Sequence, residues 1–397
     1  MRHDRVLQLL TMFGLYVTTS LVFIGSAQAQ RDPGLLSEQE EQTSPNTVSL
    51  DTLLENAQAG DQAAQFRVGG IYQHGLQGEK NYLEAAKWYR RAGERGFAAA
   101  QNAMGFLHFK GLGLRRDPQQ AAVWFRAAAE QGFPAAEYNL GSLYLRGDGV
   151  SQDFGQAMDW YRQAAAHGSA EAMNSLGLAY FMGRGVRRDY RTAFEWFTQA
   201  AERQLTAGYY DLGFLYFEGK GTRRDYAKAA DLFAKAAEGG LAIAQAGLGL
   251  LYTAGQGVPQ DYAEAIKWFR KAAEQKDAVG ENGLGCAYAS GRGVPRDYHL
   301  AAAWLLKAAE RNHPVAQNNL GFLYEKGLGV KLDYVEAYKW FALAAAGGWK
   351  DSDKELRSLA QIMTPKQIER AVALVVASRT TPDGVQTASS MLTDPTQ

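Results

Sequence analysis

A chain of 397 residues would ordinarily close two or three separate cores, but its 46% hydrophobic, 12% aromatic and 21% charged residues also suffice for one continuous core and exclude disorder by composition. Its 42 lysines and arginines equal its 42 aspartates and glutamates, which excludes a global field drawing it to nucleic acid or an anionic membrane; electrostatic recognition must be local. The single cysteine, Cys286, excludes an internal disulfide framework and a thiol-rich metal site, and its apolar helical position argues against an intermolecular bridge.

In chain order, Arg2 and Arg5 precede an apolar run from Val6 to Ile24, followed by Ala27-Gln28-Ala29, the small-x-small pattern of a signal-peptidase site. Residues 1–29 are therefore predicted to be a signal peptide leading to a periplasm or to secretion, with no membrane span after cleavage. The length of the run leaves an uncleaved inner-membrane anchor as the alternative. Residues 30–48, with Glu38, Glu40, Glu41, Pro33 and Pro45, read as a flexible spacer. Residues 49–60 carry Leu50, Leu53, Leu54 and Ala57 and read as an N-terminal capping helix.

From 61 to 347 one pattern returns every 36 residues without insertion. A Gly-x-Gly pair recurs from Gly111/Gly113 to Gly327/Gly329, with Gly75 opening a degenerate eighth copy, and tryptophan recurs from Trp88 to Trp340, with Leu232 in one copy. Each unit divides into two amphipathic helices of about 13 residues, too short to be stable alone. In the fourth copy helix A is expected over about Ala170–Met182, with Met173, Leu176, Ala179 and Tyr180 on its buried face and Gly177 admitting a close neighbour. The Gly-x-Gly pair should end helix A through positive φ. Asn81, Asp117, Asp153, Asp189, Asp225, Asp261, Asp297 and Asp333 should cap helix B. Residues 348–378 are expected to form two capping helices, the second starting at Thr364-Pro365, and residues 379–397 a disordered tail. The fold class is all-α, an α/α solenoid of about eight helix-turn-helix repeats.

The run Asn318-Asn319-Leu320-Gly321-Phe322-Leu323-Tyr324, then Gly327-Leu328-Gly329-Val330, Asp333-Tyr334 and Ala337-Tyr338-Lys339-Trp340-Phe341, resembles the Sel-one-like repeat, a relative of the tetratricopeptide repeat. The resemblance covers about residues 61 to 378. It implies a superhelical adaptor with a concave face lined mainly by helix A, and a bacterial role at the envelope in assembly, signalling or host contact. Cysteine-rich members associated with beta-lactam binding or hydrolysis supply a weak enzyme alternative, since their paired cysteines are missing here.

Chemistry is hard to find. The six histidines, His3, His74, His108, His167, His299 and His313, fall in different segments with no metal spacing, and His108 replaces a recurrent tyrosine as a core residue. The Gly-x-Gly pairs follow no strand and precede no Lys-Ser, so they are turns, not phosphate loops. The carboxylates recur as caps and surface charges. The expectation is a non-enzyme with no cofactor and no metal, binding an envelope or extracellular protein or extended peptide in the concave groove. The alternative is an anionic polysaccharide.

Departures from the repeat are the better guide to recognition. The fifth copy reads Ala207-Gly208-Tyr209-Tyr210 and continues with Phe214 and Phe217. Tyr210, Phe214 and Phe217 at i, i+4, i+7, with Tyr209 and with Tyr138 in the same column as Tyr210, form a candidate aromatic stripe on the groove. The second candidate is a basic edge before helix B, where Arg184, Arg187, Arg188, Lys220, Arg223 and Arg224 come from adjacent copies. Asp189 and Asp225 are expected to neutralise it partly.

Overall fold

The computed structural model describes residues 49–76 and 78–380. The expected signal peptide and spacer, and the tail beyond Thr380, lie outside the described residues.

Nineteen helices follow one another among the described residues. Helix α1 (Leu50–Ala59) precedes eight A/B pairs. These are α2 (Gln62–His74) with α3 (Tyr82–Glu94), α4 (Ala98–Lys110) with α5 (Pro118–Ala129), α6 (Pro134–Arg146) with α7 (Phe154–Ala166), and α8 (Ala170–Met182) with α9 (Tyr190–Glu202). Then come α10 (Thr206–Glu218) with α11 (Tyr226–Glu238), α12 (Ala242–Ala254) with α13 (Tyr262–Glu274), α14 (Ala278–Ser290) with α15 (Tyr298–Glu310), and α16 (Pro314–Lys326) with α17 (Tyr334–Ala346). Helices α18 (Ser352–Ala360) and α19 (Pro365–Thr380) both pack on α17, and the last runs two residues past its expected end. The fold is an all-α solenoid of tandem helix pairs. Two compact units divide it: the first holds the described residues through Leu215 with Lys220–Arg223, the second Tyr216–Gly219 with the chain from Arg224.

The fourth repeat shows how the pattern makes the pair. Gly183 and Gly185 hold φ of 74° and 71°, a left-handed region that other L residues enter at a cost. The Gly183 and Arg184 amides both donate to the Ala179 carbonyl, closing helix A, and the Asp189 amide donates to the Tyr180 carbonyl, folding the turn back. Asp189 Oδ1 then accepts from the amides of Arg191 and Thr192 at 2.9 and 3.3 Å, and Oδ2 from the Thr192 hydroxyl at 3.0 Å. Those bonds satisfy donors that the first helical turn leaves free, and they hold the carboxyl below its ordinary pKa.

In each pair a deeply buried large side chain, a ring in seven copies and Leu305 in one, follows the tryptophan, or Leu232 in its place. Tyr89, Phe125, Tyr161, Phe197, Phe233, Phe269, Leu305 and Phe341 are all at most 2% exposed. Trp88, Trp124, Trp160, Trp196 and Trp304 are only half-buried. Cations lie over several tryptophans, as Lys271 over Trp268 and Lys307 over Trp304, each 4.0 Å from the ring centroid. Each core ring sits where the helix-A glycine has no side chain: a Cβ on Gly177 would lie 2.5 Å from the Phe197 ring, and one on Gly105 2.5 Å from Phe125.

Two polar systems join consecutive elements. Gln65, Gln101, Gln245 and Gln317 on helix A donate from Nε2 to Ala57, Gly93, Ala237 and Ala309, carbonyls at the end of the preceding helix, at 3.0 to 3.1 Å. The same column reaches forward by thirty residues. Gln131 donates to Gln101 and Gln275 to Gln245, His167 pairs with the buried Glu137 at 2.9 Å, and Arg311 with the buried Glu281 at 3.1 Å. The second system joins helix A to helix A. Asn139 donates to Asn102 at 3.0 Å, Asn174 to Asp211 at 2.9 Å, and Asn319 to Asn282 at 3.2 Å. Buried groups with partners of this kind fix register, since slippage would strand them.

Candidate functional site

The aromatic stripe expected on the groove belongs to the core. Tyr138, Tyr210, Phe214 and Phe217 are 8%, 2%, 2% and 7% exposed, and only Tyr209 is half-buried. Tyr138 stacks on Tyr161 with centroids 5.6 Å apart, Phe214 meets Phe181 edge-on at 5.9 Å, and Phe217 meets Tyr226 at 5.3 Å. Burial raises the Tyr138 hydroxyl pKa, against the pull of hydrogen bonds from Ser142 and Ser175. The i, i+4, i+7 spacing is correct for a helix face. Helix A, however, is covered on several faces, by its own helix B and by neighbouring helices, so that spacing does not single out an open one.

The six cations of the candidate basic edge lie in the turns before helix B. Each turn rests on the first turn of helix B one repeat earlier: a Cβ on Gly185 would lie 2.8 Å from Phe154 Cβ, and one on Gly221 2.1 Å from the Tyr190 carbonyl oxygen. Arg184, Arg187, Arg188, Arg223 and Arg224 are exposed, and Lys220 is half-exposed. Among the described residues Arg184, Arg187, Arg188 and Arg223 make no ion pair. Among the described residues Asp189 and Asp225 form no ion pair with these cations: both side chains turn into their own helices, Asp225 accepting from the amides of Ala227 and Lys228 at 3.1 and 3.0 Å.

The six cations differ in what holds them. The Arg188 and Arg224 guanidiniums lie 5.6 and 5.9 Å from the rings of Tyr190 and Tyr226, and Arg224 also donates to the Glu218 carbonyl at 3.3 Å. In the same column Gln152 and Gln260 donate to the Leu145 and Thr253 carbonyls at 3.0 and 2.9 Å. That column therefore helps close helix A, which its charge had concealed. The Lys220 ammonium lies 5.4, 5.8 and 5.4 Å from the ring centroids of Phe181, Tyr190 and Phe214. Arg184, Arg187 and Arg223 carry no such duty and are the edge's free charges.

Other reactive side chains are absorbed by the fold. Cys286 is buried beside Asn319 Nδ2 at 3.4 Å, and burial pushes its thiol up to about 12, far from the thiolate range. His313 caps α16 through Nδ1, which accepts from the Ala316 amide at 3.1 Å, and burial pushes it down to about 4. Burial likewise lowers the half-buried His108, as a core position requires. Among the described residues no three His, Cys, Asp or Glu side chains converge as a metal site would need.

Comparison with known proteins gives the repeat a family. The model of the Sel1 repeat matches residues 62–97, 98–133, 134–169, 170–205, 206–241, 242–277, 278–313 and 314–349. Among solved structures, a Sel1 repeat protein from Oxalobacter formigenes is 29% identical with a TM-score of 0.55, over 83% of this chain and 94% of that one. A protective antigen present in uropathogenic Escherichia coli strains, described as displaying an SLR fold, is 28% identical with a TM-score of 0.51 over the same shares. No curated protein matches.

Proposed function

The chain belongs to the Sel1 repeat family, whose members are in general protein-interaction scaffolds, and from that premise we propose that it is an exported, non-catalytic scaffold binding a partner protein at its basic edge. The observation that carries the reading is the set of exposed, unpaired arginines at Arg184, Arg187 and Arg223 beside Lys220. Charges left unpaired on stacked turns hold a field that an acidic partner neutralises. The recurrent positions support it from the other side, because glycine, core side chain and aspartate or asparagine are each used by the turn, the packing or the cap. Export is supported by the Val6 to Ile24 run and Ala27-Gln28-Ala29. The likeness to a protein described as a protective antigen is in keeping with a place outside the cytoplasm.

The test is cross-linking in intact cells followed by capture of the protein. Its N-terminus is predicted to start at Gln30, and the yield of cross-linked partner to fall as salt rises from about 0.1 to 1 M, which shortens the screening length from about 10 to 3 Å. An intact Met1 would exclude cleavage, and capture indifferent to salt would exclude the basic edge.

A further inference from the structure

We propose that the basic edge takes an extended acidic segment of the partner in a polyproline-II conformation, with a carboxylate at every third residue; this deepens the scaffold reading and rests on it. The period of the edge matches that of such a segment. Arg187 and Arg223 occupy the same position in successive repeats. Helices A of successive repeats touch directly, through Asn139 to Asn102 and Asn174 to Asp211, and Gly185 and Gly221 seat each turn on the repeat before it. Helices in such contact lie about 8–10 Å apart, so charges at equivalent positions recur at about that distance.

An extended ligand must present its own charges at the same interval. A polyproline-II segment has about three residues per turn and rises about 3.1 Å per residue, so residues i and i+3 point the same way about 9 Å apart. A strand repeats a face about every 7 Å, and an α-helix about every 5.4 Å, and neither keeps step. Ser151 leaves the column uncharged one repeat before Arg187, and the exposed Arg115 resumes it two repeats before.

The surface between the charges suits the same ligand. Phe181 and Tyr190, both half-buried with centroids 5.3 Å apart, form an aromatic pair in the same repeat as Arg184 and Arg187. Aromatic floors receive polyproline-II segments, whose conformation is largely set before binding.

Fluorescence anisotropy on the full chain tests this with two labelled dodecapeptides of one composition, four Glu-Pro-Pro units against four adjoining glutamates followed by prolines, and with an oligogalacturonate as competitor. The spaced peptide is expected to bind about tenfold more tightly, and Arg187→Ser with Arg223→Ser to abolish that preference, serine being what Ser151 already supplies at this position. Equal affinity for the two peptides, or a preference that survives in the double variant, overturns the proposal. So does displacement by the oligogalacturonate at lower concentration than by unlabelled peptide, which would assign the edge to an anionic glycan. If the peptides bind equally while the double variant loses cross-linked partner, the spacing falls and the scaffold reading stands.

Discussion

Gly177→Ala is expected to lower the unfolding midpoint, against the helix-forming preference of alanine. In an open helix the exchange gains about 1 kcal/mol, because glycine alone carries the full backbone entropy cost. Here the new methyl would lie 2.5 Å from both Cδ1 and Cε1 of Phe197, a ring 2% exposed. Overpacking a core costs typically 1–3 kcal/mol, so the expected net loss is up to about 2 kcal/mol. Gly155 is the control: in α7 a Cβ there would meet only Asp153 Oδ1, at 3.2 Å, and Gly155→Ala is expected to stabilise or leave the midpoint unchanged. Phe197→Ala alone should cost about 3–5 kcal/mol, but it removes the ring that the methyl meets. Added to it, Gly177→Ala should cost little or stabilise, a coupling that equilibrium denaturation of the four chains measures. Additive losses would show that the glycine serves something other than this contact.

Asp211→Asn should stabilise the protein above pH 7 and do nothing near pH 4. Asp211 is 5% exposed, and its Oδ2 accepts from Asn174 Nδ2 at 2.9 Å. Burial pushes the carboxyl up to about 7, with the Asn174 hydrogen bond pulling the other way. Below about pH 4 the group is neutral folded and unfolded, and costs nothing. As pH rises from about 4 to 7 the unfolded chain loses the proton first, so stability falls, and above about 7 the deficit is constant, on the order of 4 kcal/mol at most. Asn139 and Asn319 already hold the equivalent positions and donate to the neighbouring helix A, so the amide fits the site. Thermal unfolding at pH 4 and pH 8 decides: an equal gain at both would point to packing, and no gain at pH 8 would mean that the carboxylate has a partner.

Much of the fold could be read from the chain because its punctuation is local. Helix A of the fourth repeat was expected over about Ala170–Met182 and occupies Ala170–Met182, since Gly183 and Asp189 each set a backbone geometry within a few residues of themselves. What local punctuation does not carry is the direction of a face. Tyr210, Phe214 and Phe217 have the spacing of any helix stripe, and what buries them lies on other helices, as Phe181 for Phe214 and Tyr226 for Phe217. For the polar system a signal was present and went unread: Gln101 with Gln131, Glu137 with His167 and Glu281 with Arg311 change together at a separation of thirty residues. The exposure of the basic edge could be read from its place in a turn. The division of labour within it could not, because Arg224 reaches a helix-A carbonyl one residue on from the one that glutamine reaches in other copies.

The central claim is that recognition sits on the variable charges of the turns while the recurrent positions only build the scaffold. Its most direct test is one variant, Arg184→Gln with Arg187→Ser and Arg223→Ser, residues that Gln256 and Ser151 already supply at the first two of these positions. Melting and cross-linked capture are measured on the same preparation. The account predicts an unchanged midpoint and capture reduced by about tenfold, in line with the loss of several exposed charge pairs. Undiminished capture, or a midpoint that falls together with it, would contradict the account.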